Sequence, residues 1–537
     1  MTALENHGYE YLNFTLVFLL LLSFMSSMDL KFLNKENFLY LFLFLPSFFF
    51  LFNPAKFPAD DGFFYPQIAY NIAHGKGSYF NDLYLTNGYH PLWMIVCVVA
   101  DSLNPFSKQN VVYILWAIQL AFVLLSFKKL EIFFNYNLAG KTIGFFFITI
   151  LFFSLGTFYL IEAHLNLFCF CLLLWFLAKQ KSNDWLFGLL FSLVFLSRLD
   201  NVFLLGFLGL FYLIQRKWDY KVFIKSGVVI LLICGAYLLS NLYWFGSLVP
   251  ISGRIKSSFP HLQLNITLSI ISRFFLITNI IAILFLTFVK TINLRLLKLF
   301  FALGSLFQIL YNISFQSQIG QWYYIAQIIV LVLLIGDIIF LFFKNKTSSH
   351  LFYAIIIVFG MISCGVGYLK MQSNFSLQFT LLDKDAAISK RNQDEVKVFA
   401  EYIKKTLPPN SRIFTYDFPG KFAFYSDMNI IPADGLVANR KFFDQISTLK
   451  FDHFLRKNNI NYVNLPSAFI KDDDYTFIGI FVKVRNGKPA YFIKNSMTKK
   501  IEDTLNLENY KIIKSYKNPI KTWQKDYDSI TIYQLKN

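Results

Sequence analysis

ADDGFFYPQIAYNIAHGKGSYFNDLYLTNGYH, residues 59–90, is a polar interruption in a chain whose first 370 residues are otherwise almost all apolar runs. Two adjacent carboxylates, Asp60 and Asp61, open it. Carboxylates are costly near a bilayer and seldom sit there without a use. A pair of them at the mouth of a many-helix bundle points to chemistry at a membrane surface.

The composition around this stretch agrees. The 537 residues are 56% hydrophobic and include 66 phenylalanines, and only 15% are charged, against about 25% in a soluble domain. The class is an α-helical polytopic membrane protein. The net charge of +18 does not indicate nucleic acid here. It is read as loop Lys and Arg that orient the chain and meet anionic lipid. The five cysteines (97, 169, 171, 234 and 364) lie in apolar runs without a C-x-x-C. They read as small buried residues, not as disulfides or a thiolate metal site. The first apolar run, 11–28, follows a stretch without Lys or Arg, so it does not read as a cleavable signal.

A hydrocarbon core takes about 20 apolar residues as helix. Segments 11–28, 38–53, 109–127, 142–160, 163–178, 185–197, 201–215, 226–244, 266–289, 296–312, 322–343 and 351–369 qualify, about twelve in all. The pieces 185–197 and 201–215 are short, either tilted or one helix broken at SRLD. Segment 91–103 is short, contains Asp101 and reads as interfacial or re-entrant. With 91–103 not crossing, the Lys- and Arg-rich loops at 29–37, 128–141, 179–184, 216–225, 290–298 and 344–350 all fall on one side. The positive-inside rule makes that side the cytoplasm. The opposite side receives the external loop 54–90, Glu162, Arg198, the loops 245–265 and 313–321, and the chain after about 370.

From about Met371 long apolar runs stop and charge rises. A helix near 392–406, a strand at SRIFTYD, a short helix at PGKFAFY, a strand at NIIPA, a helix over 440–457 and a strand at NYVNL alternate. That alternation predicts a soluble α/β domain over 371–537, following a transmembrane domain over 1–370.

The residues able to carry chemistry share the outer face. Asp60 or Asp61 can simply cap the helix that follows. Alternatively, a carboxylate in a water-poor site beside a second carboxylate has a raised pKa and serves as general base. His90 ends the loop, as a structural histidine or as a donor to a substrate phosphate or sugar. Glu162 lies in YLIEAHL. Arg198 lies in LSRLDN beside Asp200, where the two can neutralise each other. Arg254 and Lys256, in PISGRIKSSFP, are either solvated loop charges or a grip on an anionic lipid phosphate. Gln321 and Tyr323 belong to QWYY, explained either by an interfacial aromatic belt or by sugar stacking. Together the set suits a donor with a lipid tail, a phosphate and a sugar.

DDGFFY, Asp60–Tyr65, resembles the acidic-pair element in the first external loop of GT-C-fold membrane glycosyltransferases. DDGFFYPQIAYNIAHGKG and TNGYHPLW are similar to a bacterial branch related to the protein mannosyltransferase and lipid A aminoarabinose transferase families. IEAHL resembles that branch's Gly-x-Glu-Thr element but keeps only the Glu. LSRLDN resembles its Thr-Arg-Pro-acidic element with Leu199 in place of Pro. NLYWFGSLVPISGRIKSS, QWYY and the later YDFPGKFAFYSDMNIIPADGL also resemble the branch. The resemblance implies inverting transfer of a sugar from a polyprenyl-phosphate donor to an envelope acceptor (lipid, glycan or protein) on the non-cytoplasmic side of a bacterial inner membrane. It implies Asp60 as general base, Asp61 as the neighbouring acidic position and external cations for the departing phosphate, with no divalent metal or other cofactor. Two other readings stay open: a transporter or flippase of lipid-linked sugar, and a non-catalytic envelope assembly protein.

Overall fold

A computed structural model describes residues 43–134, 137–262, 269–316, 319–343, 349–372 and 394–466, and, with short breaks, the strands between 475 and 536. The predicted span 11–28, the start of 38–53 and most of the loop 344–350 lie outside the described residues. Six helices are long and apolar enough to cross a membrane: Lys108–Phe133, Tyr220–Phe245, Ile270–Phe288, Arg295–Phe315, Gln321–Phe342 and Phe352–Met371. Five shorter apolar helices accompany them, Pro91–Ser102, Leu138–Ser154, Ala163–Ala178, Asp184–Ser197 and Leu199–Gln215. The chain is a polytopic helical membrane protein.

Where the helices depart from the predicted spans, the causes are local. The segment predicted over 142–160 stops at Ser154, and the chain turns through Gly156 at φ +77°. Of 38–53, the described part is a short helix Leu45–Phe48 with Pro46 in its first turn, followed by Phe49–Phe52. The pieces around SRLD are two helices. Arg198 is extended between them, and a side-chain network holds the break: Ser197 Oγ and Asn201 Nδ2 both donate to Asn166 Oδ1 at 2.9 Å, and Gln308 donates to Asn201 Oδ1 at 2.9 Å. These polar groups are buried, and each finds a partner rather than facing hydrocarbon.

The loop 54–90 carries the short helix Phe64–Ala73, which packs against the helix that follows the loop, Pro91–Ser102. At about 1.5 Å per residue the second is only ~18 Å long, too short to span a bilayer. Trp93 fixes it by donating to Leu160 O at 2.9 Å, and Gln119 ties the same hairpin by bonding Ile161 O and Leu160 N at 3.0 and 3.1 Å.

The C-terminal region holds a five-stranded sheet. Strands Arg412–Thr415, Asn429–Pro432 and Tyr462–Pro466 run parallel with 412–415 in the middle; Ile530–Leu535 pairs antiparallel with 462–466, and Tyr510–Tyr516 pairs antiparallel with 530–535 at the edge. Helices Glu395–Thr406, Pro419–Ser426, Arg440–Thr448 and Phe451–Lys457 connect or flank the strands. The helix predicted over 440–457 is thus two, broken at Leu449 and Lys450. A separate four-stranded antiparallel meander covers Tyr475 to Thr504.

This domain sits directly on the external loop. Phe63 packs between Phe424 and Tyr425, each ring centroid 5.5 Å away. Asn81 donates to Ile430 O at 3.0 Å, and Tyr84 OH donates to Gln445 at 2.9 Å. Gly88 meets the turn after strand 429–432 so closely that a Cβ there would lie 2.1 Å from Leu436 O. The apolar contacts carry this seam. The exposed Arg412–Asp82 fork at 2.8–3.0 Å adds little in water, about 0–1 kcal/mol.

Candidate active site

The aspartate pair begins a short 3-10 turn, Asp60–Phe63. Gly62 fits closely there: a Cβ would stand 3.0 Å from Tyr159 O and 3.2 Å from Leu160 Cβ. The two carboxylates then part company. Asp60 turns toward the soluble domain, where Gly420 N donates to Oδ2 at 2.9 Å and Lys421 N donates to Oδ1 at 2.8 Å. Both amides lie in the first turn of helix Pro419–Ser426, where backbone N–H groups lack intrahelical acceptors and a negative charge is favoured. Burial nonetheless pushes the Asp60 carboxyl up to about 8, with Asp61 adding to the rise and the two N–H groups opposing it.

Asp61 faces the membrane-domain cations. Its Oδ2 lies 3.7 Å from Lys256 Nζ at the end of the short helix Ile251–Lys256. Lys256 is only 8% exposed. Burial works against its charge, but Tyr323, Asp61 and Asp434 outweigh burial and hold its pKa above the ordinary lysine value. Arg254, half-buried, precedes it by two residues. Positions two apart on a helix do not share a face.

Behind this pair lies a second constellation. Glu162 and Arg198 are each 2% exposed and form a buried ion pair between Oε1 and NH1. Arg198 also forks onto Asp200 at 3.0 and 3.2 Å, and its guanidinium lies 4.1 Å from the Tyr323 ring centroid. Tyr65 OH donates to Glu162 Oε2 at 2.9 Å and accepts from His90 N at 3.3 Å. His90 Nε2 stands 3.7 Å from Glu162 Oε1, and its Nδ1 is buried without a hydrogen-bond partner. Burial holds His90 below the ordinary imidazole pKa despite Glu162. For Glu162, burial opposes the charge, but His90, Arg198 and the Tyr65 hydroxyl prevail and hold it below the usual carboxylate range. Gln321 braces the hairpin by accepting from Thr157 Oγ1 at 2.7 Å.

The structure therefore joins Asp61 with Lys256, and His90 with Glu162, Arg198 and Tyr323. Gln321 accepts from Thr157, Arg254 lies two residues before Lys256 on the same short helix, and Asp60 binds the soluble domain. Among the described residues, no group of three or more His, Cys, Asp or Glu is placed to hold a metal ion. Tyr65, Gly420, Lys421 and Asp434 belong to the site but are not among the candidates read from the sequence. Tyr65 ends the quoted DDGFFY motif and is legible there. The other three act through backbone groups or from the soluble domain, and carry no composition signal.

No protein-family model matches the chain, and no curated protein sequence matches it. Among solved structures, the crystal structure of ArnT from Cupriavidus metallidurans bound to undecaprenyl phosphate matches 86% of this chain and 97% of that one, with a TM-score of 0.52 and 13% sequence identity. The likeness is one of fold: the chain has the GT-C fold that the external-loop motifs predict.

Proposed function

We propose that this chain is a membrane glycosyltransferase. It moves a sugar from a polyprenyl-phosphate donor to an envelope acceptor on the non-cytoplasmic face of a bacterial inner membrane, with Asp60 as general base. The acceptor's oxygen or nitrogen bonds to the anomeric carbon while the bond from that carbon to the phosphate oxygen breaks. The electron pair leaves with the polyprenyl phosphate, and the acceptor's proton passes to Asp60. An ionised carboxylate offers about four acceptor positions. The two backbone N–H groups fill two of them and leave two for that proton. A pKa of about 8 suits a base working near neutral pH.

Lys256 is the cation for the departing phosphate, with His90 as neutral donor and Tyr323 as a face for the sugar. Arg198 is charge-paired with both Glu162 and Asp200, so its part is to hold Tyr323 and Glu162 in place. The acceptor is a lipid, glycan or protein of the envelope, and the donor tail lies among the helices.

The observation that carries this reading is the Asp61–Lys256 contact at 3.7 Å. It supports the reading by setting one member of the acidic pair against a buried ammonium, while Asp60, its neighbour in sequence, holds the soluble domain. The test uses the full chain in proteoliposomes with polyprenyl-phosphate-linked sugar. Mass spectrometry should find polyprenyl phosphate and sugar product, and Lys256→Gln should weaken polyprenyl-phosphate binding. Transbilayer movement of intact lipid-linked sugar, with no glycosyl product, would establish a transporter instead.

A further inference from the structure

We propose that the soluble domain supplies the acceptor side of the reaction chamber, with Asp434 as the group that holds the acceptor's nucleophilic hydroxyl or amine. This rests on the glycosyl-transfer reading.

In open α/β sheets, ligands bind outside the carboxyl ends of the parallel strands. Here Asp417 lies two residues beyond strand Arg412–Thr415, and Asp434 two residues beyond strand Asn429–Pro432. That end of the sheet faces the membrane domain. The turn that follows Asp434 abuts Gly88 at Leu436 O. Asn87, next in the chain and 3% exposed, accepts from Ile251 N at 3.0 Å and so fixes the start of the helix that carries Lys256. Asp434, the tip of the external loop and Lys256 thus line one continuous wall, and Asp434 lies within electrostatic reach of both Asp61 and Lys256.

Asp434 is 6% exposed. Leu436 N donates to its Oδ1 at 3.0 Å, which fixes the side chain and leaves Oδ2 for a ligand. Burial pushes its carboxyl up to about 7, so near neutral pH it can accept a hydrogen bond when ionised and donate one when protonated. Two carboxyl groups, Asp61 and Asp434, share this corner with the Lys256 ammonium. That balance disfavours an anionic group at the reacting end of the acceptor. It favours a hydroxyl or a protonatable amine, while the donor phosphate stays at Lys256.

The experiment uses the full chain in proteoliposomes with polyprenyl-phosphate-linked sugar. Glycerol and ethanolamine serve as acceptor probes, and water as the background acceptor. Asp434→Asn keeps an Oδ1 for Leu436 N and so preserves the turn. The expected result is a rise of about tenfold or more in KM for both probes, with polyprenyl-phosphate binding within about twofold of the parent. The pH dependence of probe KM near 7 should vanish in the variant, and Asp434→Glu should restore part of the affinity. Unchanged probe KM in Asp434→Asn overturns the proposal, as does an equal loss of donor binding. If the parent chain releases no sugar from the donor to any acceptor, the glycosyl-transfer reading itself fails and this assignment falls with it.

Discussion

Gly420→Ala should open the contact between Asp60 and the soluble domain. A Cβ at 420 would stand 2.2 Å from Asp60 O and 3.1 Å from its Oδ2. Ordinary contact begins near 3.4 Å, so the turn must withdraw by 3.4 − 2.2, about 1.2 Å. The amide contacts of 2.9 and 2.8 Å would then stretch to about 4 Å, beyond hydrogen-bonding range. Above pH 8, where the Asp60 carboxyl is ionised, hydrogen bonds to such a charged group are worth about 1.5–3 kcal/mol each. Losing both weakens this local docking by about 3–6 kcal/mol, or two to four orders of magnitude. The apolar seam at Phe63, Phe424 and Tyr425 remains, so the domain stays attached while the turn 419–421 loosens. Hydrogen exchange of the amides at 420 and 421 in the full chain reads this directly. Exchange about a hundredfold or more faster is expected, together with reduced sugar transfer. Unchanged protection at both amides would refute the reasoning, because Asp60 would then not be their partner.

Two further outcomes follow from the same geometry. Asp60 rises to about 8 in the folded chain from an ordinary carboxylate value of 3.8, so the folded state holds this proton more tightly than the unfolded one. Its contribution to stability is therefore full below about pH 4 and is lost as pH rises through about 8. Thermal midpoints of the parent chain should fall more between pH 5 and pH 9 than those of Asp60→Asn. Transfer by the parent should climb toward pH 8, because the base must be ionised; equal pH slopes for stability in the two proteins would count against the assignment. Glu162→Ala removes the buried partner of Arg198 and the acceptor of Tyr65 OH. Breaking a buried pair costs about 3–5 kcal/mol, so the detergent-solubilised variant should unfold at clearly lower temperature. Glu162→Gln, which can still accept from Tyr65, should lose less.

The membrane half is legible in the sequence because hydropathy and charge are one-dimensional signals. A charge set among apolar spans stands out, and this is why Glu162, Arg198 and Lys256 are conspicuous from hydropathy and charge alone. Their partnering cannot be read that way. Arg198 and Asp200 are near neighbours in sequence, but Glu162 and Tyr323 reach Arg198 only through the fold. The parallel strands 412–415, 429–432 and 462–466 are also readable, since short apolar runs alternate with helices. The antiparallel meander from 475 to 504 is not, because lysines at 483, 488, 494, 499 and 500 dilute the alternation. The destination of Asp60 is hidden for a different reason. Its partners are two backbone N–H groups some 360 residues away, and a backbone donor leaves no mark on residue type. Asp434 is likewise one acidic residue among many in a soluble domain until the strand order places it at the carboxyl edge facing Lys256.

The most direct measurement compares the parent chain with Asp60→Asn in proteoliposomes supplied with polyprenyl-phosphate-linked sugar. Asp60→Asn should stay folded, bind polyprenyl phosphate as the parent does, and form glycosyl product at less than about one-hundredth of the parent rate, the scale of a lost general base. Product formation at the parent rate would contradict the account.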